Sequence, residues 1–229
     1  MPLFSTPWRL LTRAGRAVKR NRFQSRRLPP GVIVPSVFRR HPVASALVAV
    51  LVLAAVVDHA LGRRQSDDHT RYHNRVFTVV NVVDGDTFDI DAPDGPQDTT
   101  RIRLWGVDTP EVAGGRAGEM HYGPEASAFA GRTLAGRPVR IELSPTKTRG
   151  LYGRLLAYVH LMPEGDCFNE LLLESGHAYA DWRFAHPFKR RYKTIEKRAR
   201  RRGIGLWADV ELDDMPAWRR RMERAFEPR

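Results

Sequence analysis

The sequence predicts an α+β fold, a small five-stranded β-barrel with helices entering late in the chain order, and three observations carry that expectation. Five short segments between residues 75 and 161 alternate or are dense in β-branched side chains, while helical patterns begin only at Pro124. Asp84-Gly85 separates the first two segments in the manner of a hairpin turn. A length of 229 residues, 42 % of them hydrophobic, suffices for one good core with appendages, not for two large domains.

In order, 76–83 (VFTVVNVV) is β-branched and halts at Asp84-Gly85, and 87–91 resumes as the second arm of the hairpin. Residues 101–107 (RIRLWGV) alternate basic with apolar, 139–143 (VRIEL) alternate again, and 155–161 (LLAYVHL) are largely apolar. Helices are expected over 124–134 with proline in the first turn, over 168–174 closed by Gly176, and over 188–202 closed by Gly203. Five short strands with late helices suit the Greek-key barrel of the OB-fold, which commonly binds oligonucleotides across one face. The folded domain is expected at 75–209. A polar linker at 62–74 would precede it, and a peripheral basic tail, 210–229, would follow, with a short amphipathic helix over 215–226.

The first third reads differently. Residues 1–41 form a basic leader without Asp or Glu, broken by Pro29, Pro30 and Pro35, and expected to be disordered. Residues 42–61 are apolar up to Val57 and framed by Arg39, Arg40, Arg63 and Arg64, so they are expected to be a transmembrane signal anchor. A span needs about 20 residues for a hydrocarbon core of roughly 30 Å, so Asp58 and His59 must sit in the interface. A buried core helix and a cleaved signal peptide compete, the second with a poor cleavage site at 57–60. Ten Lys/Arg before the segment against Arg63 and Arg64 after it put the amino terminus in the cytoplasm and the domain in the periplasm or outside the cell. The Arg-rich start also fits a mitochondrial membrane location.

The formal charge of +12 is concentrated in that leader: residues 1–64 hold twelve Lys/Arg against Asp58, and from Gln65 onward 26 bases face 25 acids. Composition therefore gives no argument for nucleic-acid binding by the domain, which must place its charge locally. Cys167 is the single cysteine, which excludes an intramolecular disulfide and a CxxC metal site.

Asp84-Gly85-Asp86-Thr87 and Thr109-Pro110-Glu111 are, taken singly, ordinary turn or cap sequences, and a strand arginine such as Arg103 usually faces water. Together they say more. If the first three strands are neighbours in a small barrel, Asp86 beyond the first turn approaches Asp108 at the end of the third strand. Two carboxylates in one site call for a cation between them, and oxygen donors without His or Cys select calcium or magnesium. The irregular corner at 108–111 adds a backbone carbonyl and the flexibility that favours calcium.

In order and spacing, Asp84-Gly85-Asp86-Thr87, the run Arg103 to Glu111 (RLWGVDTPE), 122–129 (YGPEASAF) and Tyr152-Gly153-Arg154 resemble the signature segments of the thermonuclease family, over about 77–207. The resemblance implies an OB-fold endonuclease that cuts DNA and RNA with one calcium ion. Asp86 and Asp108 would ligate it through carboxylates and Thr109 through its carbonyl; Glu111 would orient or deprotonate the attacking water; Arg103 and Arg154 would grip the scissile phosphate. Tyr152 would pack beside the nucleotide, unless it is ordinary barrel packing. Trp182 and Phe184 stand where members place two tyrosines, keeping a stacking face without a phenolic hydroxyl. Leu151 stands where a lysine often meets phosphate, and the 114–118 loop carries only Arg116.

The basic run at 189–202 reads as a solvated outer helix face with Tyr192, Ile195 and Ala199 turned inward; a phosphate-tracking surface is the competing reading. A non-catalytic OB module that binds nucleic acid or protein at the membrane is the alternative to an enzyme. Membrane attachment would run through the single amino-terminal helix, and no protein partner is implied.

Overall fold

The computed structural model describes residues 42–114, 118–145 and 147–226, so the expected leader, 1–41, and Arg116 lie outside the described residues. The chain divides into two units, Met1–Val52 and Leu53–Arg229. In chain order the elements are α1 (Pro42–Tyr72), β1 (Arg75–Val82), β2 (Thr87–Ile90), β3 (Thr100–Leu104), β4 (Val107–Asp108), α2 (Gly123–Leu134), β5 (Pro138–Leu143), β6 (Leu155–Leu161), α3 (Phe168–Glu174), β7 (Tyr179–Ala180), α4 (Lys189–Arg201) and α5 (Ala217–Phe226).

In the first unit the described residues belong to α1, where Val43, Leu47, Val48, Val50, Leu51 and Val52 are exposed. In the second, Leu53, Val56 and Val57 are exposed in the same way. Among the described residues no helix is long and apolar enough to cross a membrane. This departs from the transmembrane helix expected at 42–61. The apolar run stops at Val57 and the helix continues through Asp58, His59, Arg63 and Arg64. At about 1.5 Å per residue that run measures roughly 22 Å against roughly 30 Å of hydrocarbon.

The expected linker, 62–74, is also corrected, because most of it is the last part of α1 and is built into the barrel unit. Tyr72 is fully buried and its hydroxyl meets Thr100 Oγ1 at 3.1 Å and Pro93 O at 3.2 Å. One turn earlier on the same face, buried Asp68 accepts a 2.7 Å hydrogen bond from Thr148 Oγ1 and pairs with Arg149, which also pairs with Asp94. The segment reads as a linker because Tyr72 is the single large apolar residue in a run of otherwise polar ones.

The five expected strands form the closed barrel, in the order β1-β2-β3-β6-β5. Neighbours are antiparallel except β3 and β6. A register shift between Val79 and Asn81 bends β1, which pairs with β5 through Arg75–Thr78 and with β2 through Val79–Val82. Strand alternation sends Val139, Ile141 and Leu143 inward to meet Phe88, Ile90, Ile102, Leu104, Leu155 and Val159, all essentially buried. Each such side chain contributes about 1.5–3 kcal/mol relative to exposure.

The third strand ends at Leu104 rather than 107. Gly106 takes φ 81°, and a Cβ there would lie 2.6 Å from the His186 ring. The break re-aims the chain into the two-residue β4, which leaves the barrel and pairs with β7. α4 buries Tyr192, Ile195, Glu196 and Ala199 and leaves most of its basic residues outside, as the outer-face reading expects. α5 and the turn before it are not peripheral, since Met215, Trp218 and Arg219 are buried.

Candidate active site

The site is assembled where the β1–β2 turn meets the corner after β4. In the turn, Asp84 Oδ1 accepts the Asp86 N–H at 3.0 Å, and the Val83 and Asp84 N–H groups donate to Thr87 O at 2.9 and 3.1 Å. A Cβ on Gly85 would fall 2.7 Å from Thr109 Oγ1, so the two loops touch only because this position lacks a side chain. Asp86, 1 % exposed, ties them together: its Oδ2 accepts the Thr109 N–H at 3.0 Å and its carbonyl accepts the Leu104 N–H at 2.9 Å.

Arg103 stands opposite Thr87 in the β2–β3 register and reaches both expected metal ligands. Its Nη1 pairs with Asp86 Oδ1, and its Nη2 donates to Asp108 Oδ1 at 2.5 Å. One guanidinium thus occupies the position that a cation shared by the two carboxylates would take, so Asp86 and Asp108 fit a common ion. Among the described residues no three His, Cys, Asp or Glu side chains are grouped to hold a metal ion. An ion here would therefore draw its other oxygens from backbone, water or phosphate, a ligand set natural to calcium.

The remaining expected residues lie within the same electrostatic cluster. Burial raises the Glu111 carboxyl above its usual range, and repulsion from Asp84 and Asp108 adds to this against the attraction of Arg103 and Arg154. Gly123 presses on its loop, for a Cβ there would lie 2.1 Å from Glu111 O. Arg154 Nη1 donates to Thr87 Oγ1 at 3.3 Å. Burial, then the positive charge of Arg103, lowers the Arg154 guanidinium, with Asp84 and Glu111 opposing. Two cations are thus held close together beside a cluster of acids. That arrangement suits an anionic phosphate that gains charge during reaction.

Three participants were missed by sequence reasoning. Asp84 is raised chiefly by burial against the pull of Arg103 and Arg154, so it belongs to the cluster, and the Asp-Gly-Asp spacing was the signal. Arg183 Nη2 lies 3.5 Å from Asp108 Oδ2, and Trp218 Nε1 donates to that oxygen at 2.7 Å. No local pattern marked either of these.

Two clefts border the site. One, of about 530 Å³, runs between Arg154, Tyr152, Arg101 and Asp89; the other, of about 600 Å³, runs between Asp108, Glu111, Arg183 and Trp218. Tyr152 is 63 % exposed, with the Arg154 guanidinium 6.0 Å from its ring centroid. Phe184 is 44 % exposed with one side stacked on Trp105 at 5.2 Å. Trp182, expected to stack on nucleotide, is engaged by α4 and α5. Lys193 Nζ lies 3.8 Å and Arg219 Cζ 4.4 Å from its centroid, and its Nε1 donates to Met222 Sδ.

A closed barrel that brings carboxylates and paired arginines to one rim defines an enzyme of the nuclease class, and comparison with known proteins agrees. The model of the family described as staphylococcal nuclease homologue matches residues 101–209. A thermonuclease of Staphylococcus hyicus is 33 % identical over 162 residues, 70 % of this chain and 92 % of that protein. A thermonuclease of Staphylococcus intermedius is 36 % identical over 57 % of this chain and 75 % of its own, and a micrococcal nuclease of Shigella flexneri is 32 % identical over 64 % and 82 %. The chain belongs to the staphylococcal nuclease homologue family.

Proposed function

We propose that this chain is a calcium-dependent endonuclease that hydrolyses phosphodiester bonds of DNA and RNA. The observation that carries the proposal is the sharing of Arg103 between Asp86 and Asp108, because carboxylates that converge on one cation in an all-oxygen setting fit a calcium site. Asp86 and Asp108 would hold the ion with the Thr109 carbonyl. The ion would supply positive charge at the phosphate where negative charge develops.

Glu111 orients or deprotonates the attacking water, a role favoured by the upward displacement of its carboxyl. With an ion between Asp86 and Asp108, the Arg103 guanidinium would be released from them to grip the phosphate beside Arg154, each offering a planar fork that stays charged. Tyr152 and Phe184 flank the nucleotide as exposed aromatic faces. Two like-charged arginines held together beside an acid cluster suit a phosphate that gains charge in reaction better than a surface that only binds.

The test uses the full chain in detergent on closed circular single-stranded DNA and on circular RNA, which offer no ends. Cutting of both with calcium and of neither with a chelator is expected. Cutting of linear substrates alone would replace the endonuclease reading with an exonuclease, and chelator-resistant cutting would remove the calcium.

We infer further that the apolar part of α1 holds the enzyme at a membrane, with the nuclease domain on the periplasmic or extracellular side. Nine large apolar side chains between Val43 and Val57 are exposed among the described residues, and basic residues flank them in sequence. Arginines reaching to the interface would make up for the short apolar run. The full chain should stay with membranes through a high-salt, alkaline wash, and its domain should be cut by protease added outside intact cells. Release by the wash would end the tether reading.

A further inference from the structure

The family model stops at residue 209, yet the contact that fixes one of the expected ligands comes from beyond it. Trp218, on α5 and 6 % exposed, donates its indole N–H to Asp108 Oδ2 at 2.7 Å, while Oδ1 of the same carboxylate faces Arg103. The carboxylate is thereby held by one oxygen, with the other directed into the site. The Arg183 guanidinium lies 4.3 Å from the Trp218 ring centroid and forks onto Asp181 with two bonds of 2.8 Å.

The helix is pinned for this contact. Arg219, 2 % exposed, meets Glu196 of α4 through both terminal nitrogens at 3.1 Å. Glu196 Oε1 also accepts the Ala180 N–H of β7 at 2.9 Å, and β7 is the strand paired with β4, which carries Asp108. The connections form a ring: Asp108 to β7, β7 to Glu196, Glu196 to Arg219, and Arg219's neighbour Trp218 back to Asp108. A helix that merely covered apolar surface would need neither the buried charge pair nor the indole bond.

We propose that α5 is a working part of the nuclease site, in which Trp218 is a positioning residue for Asp108 and the Arg219–Glu196 pair sets Trp218 in place. The proposal rests on the nuclease reading given above. Hydrogen-bond partners of a ligating group orient it, and their loss typically costs about 10–100-fold in metal affinity or activity.

Trp218→Phe keeps an aromatic ring beneath Arg183 and removes the donor together with part of the buried ring, a loss of packing that the Trp207→Phe control matches. Calorimetric titration of the full chain with calcium, without substrate, should show affinity at least about tenfold weaker in this variant. With DNA, kcat should fall and KM stay near wild type. Trp207→Phe is the control, since Trp207 is buried in the same apolar cluster and its Nε1 has no partner among the described residues. It should lower the melting temperature and leave calcium affinity alone. Wild-type calcium affinity in Trp218→Phe, or equal losses in both variants, would overturn the proposal. A wild-type chain that neither binds calcium nor cuts would overturn the nuclease reading and this proposal with it.

Discussion

Glu111→Gln is expected to lower turnover by at least about a hundredfold, at the low end of what a positioned general base contributes, while calcium affinity stays at the wild-type value. The glutamine has the same shape, so the loop held by the close approach of Gly123 should keep its course. What disappears is basicity. In the metal-free protein burial, then repulsion from Asp84 and Asp108, raises the carboxyl against the pull of Arg103 and Arg154, the direction a general base needs. Single-turnover cleavage and calorimetry, run on one preparation, separate the two properties. Calcium binding lost together with rate would make Glu111 a ligand, and an unchanged rate would leave the water without its assigned base.

The barrel was legible because its signals are local. β-Branching and alternation over 76–83, 87–91, 139–143 and 155–161 correspond closely to β1, β2, β5 and β6, and 168–174 coincides with α3. The site turns were legible for a similar reason: Asp-Gly-Asp and Asp-Thr-Pro-Glu are short motifs whose shape follows from neighbouring residues, with Gly85 permitting the contact with Thr109. What escaped was non-local. The β4–β7 ribbon has two residues in each strand, too few for any period to appear. Asp68 and Tyr72 looked like linker residues until Arg149 and Thr100 supplied partners from the barrel. The bond from Trp218 to Asp108 joins positions 110 residues apart, and the engagement of Trp182 by Lys193 and Arg219 depends on how α4 and α5 pack.

Arg154→Lys is the second large effect, with an expected loss of at least about tenfold in turnover, equivalent to about 1.4 kcal/mol of transition-state stabilisation. Arg154→Ala should lose more, on the scale of about 10²–10³ seen when one pre-placed donor to a developing oxyanion is removed. Lysine keeps the charge but presents a point donor where guanidinium presents two parallel N–H groups, so the difference between the variants separates charge from geometry. The free protein supplies an independent check. Holding Arg154 partly buried beside Arg103 is unfavourable for its charged form, with Asp84 and Glu111 only opposing that effect. Such an arrangement serves phosphate rather than the fold, so Arg154→Ala should melt no lower than wild type while its activity collapses. Lysine turnover within about threefold of wild type would show that bidentate contact is unnecessary. A large fall in melting temperature with Arg154→Ala would instead make Arg154 a structural residue, and the phosphate grip would rest on Arg103 alone.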